Sequence, residues 1–276
     1  MFTRLLVGLD GSAGADAAIE AAIALGRHSA ATIVLAAVTD IRLLEAPLFD
    51  AAGPLWTEGL SVAPVAADLR EALDARAKRF LADGVGRVAT AGLTAETVRA
   101  VGVVDEELLR LAEQADAVVI GRRGELHTQP GKIGTVTAHI IKRAAPPVLV
   151  AGDRPSVFER PVVAFDGGET SAHALQVACR FAADRGLSLD VVHVGQDTQE
   201  AEAMLAEARK IAGSAVPVRT HALTGDIVDA VADFIARGNA DLLVAGAHGG
   251  RGTPWPLGSH AEKLIRATVV PVMIHR

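Results

Sequence analysis

The chain has 276 residues, half of them apolar, enough for a sizeable core and for two domains rather than one. A net charge of −6 with 3% aromatic residues excludes the basic stripe and the stacking platform of a nucleic-acid binder. One cysteine, Cys179, rules out an intramolecular disulfide; no segment reaches the roughly 18 apolar residues of a membrane span, and the N-terminal apolar run is too short for a signal peptide. The expectation is a cytoplasmic protein with no membrane partner.

Leu5 to Leu9 is a continuous apolar run, the mark of a parallel strand buried on both faces. It ends at Asp10-Gly11-Ser12, and an Ala-rich helix follows from Ala13 to His28. Thr32 to Val38 is the second buried strand, which makes the opening a βαβ unit. From Thr39 to Pro64 the pattern breaks into a loop with Phe49 and Trp56, long enough to be functional or disordered. An amphipathic helix at Asp68–Ala82, a strand at Thr97–Val101 and a helix at Val103–Gln114 come next.

The stretch Ala117 to Thr137 organises the rest. Val118, Val119 and Ile120 form a strand that stops at Gly121, and a glycine-containing loop leads to Gly134 and Thr135 at the start of a helix running to Arg143. Gly121 and Gly124 would let backbone approach a ligand, and the N–H groups of Gly134, Thr135, Val136 and Thr137 would meet it with the positive end of the helix dipole. Phosphate fits such a cradle, and the Thr135 and Thr137 hydroxyls add donors. An ordinary loop with a helix cap is the plain alternative. A fifth strand, Pro147 to Ala151, completes the unit.

After a polar linker, Gly152 to Arg160, the series repeats. Pro161–Phe165 is strand, Asp166-Gly167 repeats Asp10-Gly11, and Leu189–Val194 repeats Ile33–Val38. Asp241 to Gly249 matches Asp116 to Gly124, and Val270 to Ile274 matches Pro146 to Val150. The second copy is shorter, chiefly by the counterpart of the Thr39–Pro64 loop. Two α/β domains are expected, 1–152 and 160–276, each a parallel, doubly wound five-stranded sheet. In such sheets ligands bind beyond the strand C-termini where the strand order reverses. With strands one and four adjacent there, Asp10 and Gly121 face each other across one crevice, and Leu9 and Val38 supply apolar wall. A carboxylate, an apolar wall and a phosphate cradle describe a nucleotide site. Asp10 would accept from adenine or ribose, or else cap the next helix.

The spacing Gly121-x2-Gly124-x9-Gly134-Thr135 after the fourth strand resembles that of the ATP-binding members of the universal stress protein family, and the resemblance spans both halves of the chain. It implies a strand order of 3-2-1-4-5 in each half and antiparallel pairing of the two fifth strands, making the chain its own pseudo-dimer, with or without further homodimerisation. It implies ATP, alone or with magnesium, as ligand: Asp10 and Val38 at the base, Gly121 through Thr137 at ribose and phosphates. Little or no catalysis is implied. The second half departs from the pattern. Asp166, Val194, Gly246 and Gly249 stand in the corresponding places, but eight residues, three of them Pro254, Trp255 and Pro256, separate Gly249 from Gly258-Ser259. His260 and Ala261 replace Val136 and Thr137, so a hydroxyl is lost.

Arg123 and His248 occupy equivalent loop positions and could touch phosphates or simply be solvated. Lys132 in Pro-Gly-Lys-Ile-Gly-Thr lacks the spacing and the following hydroxyl of a Walker loop. The nine histidines show no metal-ligand spacing, and His193 reads as a satisfied core residue. Two other functions remain open: an adenylating or ATP-hydrolysing enzyme of the ATP-pyrophosphatase type, which Asp166-Gly-Gly-Glu-Thr-Ser171 weakly resembles, and a scaffold with degenerate sites.

Overall fold

The computed structural model describes residues 2–44, 63–125, 132–248 and 259–276, without the side chains of 63–66 and 259. Phe49, Trp56, Gly131, Gly249, Pro254, Trp255, Pro256 and Gly258 lie outside the described residues. The first half runs β1 (Arg4–Leu9), α1 (Ala13–Gly26), β2 (Thr32–Asp40), α2 (Ala63–Thr90), β3 (Thr94–Gly102), α3 (Val104–Ala112), β4 (Ala117–Ile120), α4 (Thr135–Arg143) and β5 (Val148–Val150). The second repeats it as β6 (Pro161–Ala164), α5 (Glu169–Arg185), β7 (Leu189–Val194), α6 (Thr198–Ala212), β8 (Val218–Leu223), α7 (Ile227–Phe234), β9 (Leu242–Gly246), α8 (Ser259–Ala267) and β10 (Val272–His275).

The two halves share one ten-stranded sheet, ordered β3-β2-β1-β4-β5-β10-β9-β6-β7-β8. Each half keeps the 3-2-1-4-5 order, but the sheets are not separate. Val148, Leu149 and Val150 pair antiparallel with Ile274, Met273 and Val272, while the other neighbours are parallel. Pairing β5 with β10 removes two apolar edges that would otherwise template association. Strand alternation then sends Leu5, Val7 and Leu149 to a core under α1, α2, α5 and α6, and Leu6, Val148 and Val150 to one under α3, α4, α7 and α8.

Two expectations change. Helix α2 begins before Asp68 and runs on through Gly84 and Gly86 to Thr90. Gly84 sits where the helix lies close to β2: a Cβ there would stand 2.9 Å from Leu35 Cδ1. The Gly152–Arg160 linker is also more than a polar tether. Phe158 is fully buried at φ +58°, and the Asp241 carboxylate accepts the N–H groups of Glu159 and Arg160 at 3.0 and 2.8 Å. Asp116 does the same for Thr3 and Arg4 at 2.8 and 2.9 Å. The repeated aspartate thus anchors the start of each half's first strand. Cys179 is half-buried, and burial pushes its thiol pKa up.

His275, at the end of β10, has a buried Nδ1 with no hydrogen-bond partner among the described residues. Its ring lies 6.3 Å from that of His173. Burial, followed by the charges of His173 and Arg180, holds its pKa below the ordinary histidine range. The unfolded chain therefore binds the proton more readily, so this contribution is intact above about pH 6.5 and is lost as pH falls toward the depressed folded value. Denaturant midpoints measured from pH 7.5 to 5 should decline in the native chain and decline less in His275→Leu. Equal slopes would refute the assignment.

Candidate functional site

The C-terminal ends of β1, β2 and β4 open into a crevice of about 370 Å³, within the range of ligand pockets. Leu9, Asp10, Val38, Gly121, Arg123, Gly124, Gly134, Thr135, Val136 and Thr137 all line it. Asp10 directly follows β1 and braces the opposite lip: Oδ1 accepts from Ser12 N at 3.0 Å and Oδ2 from Glu125 N at 2.9 Å. Capping belongs to Ser12, whose Oγ accepts from Ala15 N at 3.1 Å at the start of α1. A carboxylate has about four acceptor positions, so Asp10 keeps capacity for a ligand donor.

The loop glycines are fixed by protein contacts. A Cβ on Gly121 would lie 2.5 Å from the Gly14 carbonyl carbon, where α1 meets the end of β4 backbone to backbone. A Cβ on Gly124 would lie 2.5 Å from Asp10 Oδ2. Gly134 caps α4 without a side chain, and its N–H, expected to meet the ligand, is instead donated to Arg122 O at 2.8 Å, which ties the loop to the helix start. No acidic residue lies in the first turn of α4 to oppose an anion at its positive end. Thr135 is exposed there. Thr137 is not the donor the sequence suggests: buried, it donates from Oγ1 to Gly121 O at 2.8 Å and ties the helix to the loop. Arg123 is exposed, whereas its neighbour Arg122 is buried, donating to Ala151 O and Val270 O at 3.2 and 3.1 Å and pairing with Asp153 at 3.2 Å. Burial lowers its pKa. Arg122 thereby joins the glycine loop to the second half.

Sequence reading missed several lining groups. Arg76 and Phe80 come from α2, and Asp105 of α3 accepts from His139 Nδ1 of α4 at 2.8 Å. Asp40 and Arg42 pair at 2.6 Å on the rim, and the guanidinium holds the Asp40 carboxyl below its usual range. The charged ones sit where the local pattern reads as an ordinary charged surface and Phe80 reads as a core position of an amphipathic helix, so no sequence signal marks them.

In the second half Asp166, Val194, Gly246 and His248 line a hollow of about 80 Å³, together with His193 and His260. Ser259 opens α8. Asp166 Oδ1 accepts from Gly168 N at 2.9 Å, as Asp10 does from Ser12. A Cβ on Gly246 would lie 2.5 Å from Thr170 Oγ1, which donates to His248 O at 2.7 Å. His193 Nδ1 is bonded to Phe165 O at 2.8 Å. Ser171, which also lines the hollow, is buried and donates to Gly168 O at 2.9 Å, so its hydroxyl hydrogen is already engaged by the chain. Among the described residues no three His, Cys, Asp or Glu side chains form a metal-holding group, and no helix is long and apolar enough to cross a membrane.

A model of the universal stress protein family matches residues 1–152 and 195–276. A universal stress protein of Mycobacterium tuberculosis is 27% identical over 299 aligned positions, covering 99% of this chain and 96% of the relative. One from Synechocystis is 27% identical over 207 positions, 73% of this chain and 72% of its own length. A solved universal stress protein from Archaeoglobus fulgidus superposes with a TM-score of 0.79 at 20% identity, covering 100% of this chain and 99% of its own; at that identity the likeness concerns the fold.

Proposed function

This chain belongs to the universal stress protein family, and we propose that its first-half crevice binds an adenine nucleotide, ATP, in a regulatory module with little or no catalysis. The observation that carries the reading is the convergence, around about 370 Å³, of an apolar wall, the Asp10 carboxylate and the positive end of α4, where no side chain caps the helix and no acidic residue lies in the first turn. Leu9 and Val38 suit the base, Asp10 a ribose or amino donor, and the Gly121–Gly124 loop with Gly134 and Thr135 the phosphates. At Gly124 a Cβ would lie 2.5 Å from Asp10 Oδ2, so the glycine is what lets the loop backbone lie against that carboxylate at the crevice. Magnesium, where present, would arrive on the phosphates.

The second hollow is about a fifth of that volume, so the expected stoichiometry is one nucleotide per chain. Calorimetric titration of ATP should show a single site, and turnover of bound ATP should fall below about 1 per second, the low end of ordinary enzymes. Absence of binding would favour the scaffold reading. Turnover above that rate, lost in Asp10→Ala, would favour the enzyme.

A further inference from the structure

Helix α2 flanks the first crevice, and a contact at Gly11 sets its position. Gly11 has φ +82°, and a Cβ there would lie 2.2 Å from Phe80 Cζ, so the ring packs on bare backbone of the β1–α1 turn. One helical turn earlier, on the same face of α2, Arg76 reaches over the end of β1. Its guanidinium carbon is 5.2 Å from the Phe80 ring centroid, its Nη2 is 3.5 Å from Asp10 O, and it pairs with the Glu125 carboxylate. Glu125 is itself tied by its N–H to Asp10 Oδ2. A cation from α2 and a carboxylate from the glycine loop therefore meet across the crevice. Both side chains are partly exposed, 36% and 48%. An ion pair so exposed is weak, whereas a phosphate offers the guanidinium a bidentate, charge-assisted partner.

The second half repeats the glycine contact and carries a carboxylate at the equivalent helix position. Met204 of α6 takes the place of Phe80: a Cβ on Gly167, φ +74°, would lie 2.7 Å from Met204 Sδ. One turn before Met204 stands Glu200, where the first half has Arg76. We propose that Arg76 is the side-chain cation that takes the phosphates of the first site's ligand, exchanging Glu125 for them, and that Glu200 in its place makes the second half unfit for the same anion.

The inference rests on the nucleotide reading, and titrating both ATP and adenosine separates the two. In the full-length chain Arg76→Ala should weaken ATP about tenfold and leave adenosine within about twofold, while Glu125→Gln, which removes the competing carboxylate, should tighten ATP about threefold. Retained adenosine affinity also reports an intact crevice. ATP binding whose ratio to adenosine is unchanged in Arg76→Ala, or a parallel loss of both ligands, overturns the role of Arg76 and leaves the site standing. A native chain that binds neither ligand overturns both readings.

Discussion

Replacing Gly124 by valine is expected to abolish ATP binding at the first crevice, a loss of at least about a hundredfold, equal to roughly 2.8 kcal/mol. The ideal Cβ at this position stands 2.5 Å from Asp10 Oδ2, closer than a non-bonded carbon and oxygen can sit. Asp10 cannot turn aside without breaking its bonds to Ser12 N and Glu125 N. The loop must retreat instead, and its retreat carries away the Glu125 N–H and moves the loop amides from the α4 N-terminus. Binding and recognition thus fail together, although the loop is a surface element and the chain should lose only about 1–3 kcal/mol of stability, the cost of a lost partly buried hydrogen bond. Gly86→Ala is the matched control, since nothing lies within 4 Å of its Cβ and it is not among the residues lining the crevice, and it should bind ATP as the native chain does. Calorimetric titration of the two variants decides the matter: undiminished affinity in Gly124→Val would remove the loop from the site.

The glycine spacing was legible because it records backbone collisions, though not always those the sequence suggests. Gly124 meets the carboxylate across the crevice, but Gly121 is required by Gly14 of α1, an approach between segments far apart in the chain. Thr137 shows the same limit. Its hydroxyl looked like a ligand donor until the fold placed Gly121 O at 2.8 Å. The repeat and the crevice could be read because apolar runs and their terminators are local, whereas the strand order rested on the family resemblance. Arg76, Asp105 and His139 could not, because each is one charged or polar residue on an amphipathic helix, and only the packing of α2, α3 and α4 decides which such residues face the crevice. The length of α2 was underread for a related reason: Gly84, a poor helix former by about 1 kcal/mol, reads as a stop, while its actual role is to let the helix lie close to Leu35.

Introducing a charge into the strand that joins the halves, as in Leu149→Lys, should cost about 3–5 kcal/mol, the penalty of a buried and unpaired charge. Leu149 has no exposed surface, pairs with Val119 of β4 on one side and Met273 of β10 on the other, and points into the core under α1, α2, α5 and α6. Leu149→Ala, which leaves only a cavity, should cost about 2–5 kcal/mol, so the pair of variants separates lost packing from buried charge. A loss of either size is large against the 5–15 kcal/mol of an ordinary fold. The halves should not simply part, because other contacts cross the seam: Arg122 reaches Val270 O at 3.1 Å, the rings of Phe2 and Phe181 lie 6.4 Å apart, and His28 Nε2 meets Asp184 O at 2.8 Å. Unfolding of the lysine variant should therefore remain cooperative, with its denaturant midpoint lowered, and the amides of β5 and β10 in the native chain should be among the slowest to exchange with solvent. Rapid exchange of those amides in a stable native chain, or a lysine variant as stable as the native one, would show that the two strands do not pair in solution.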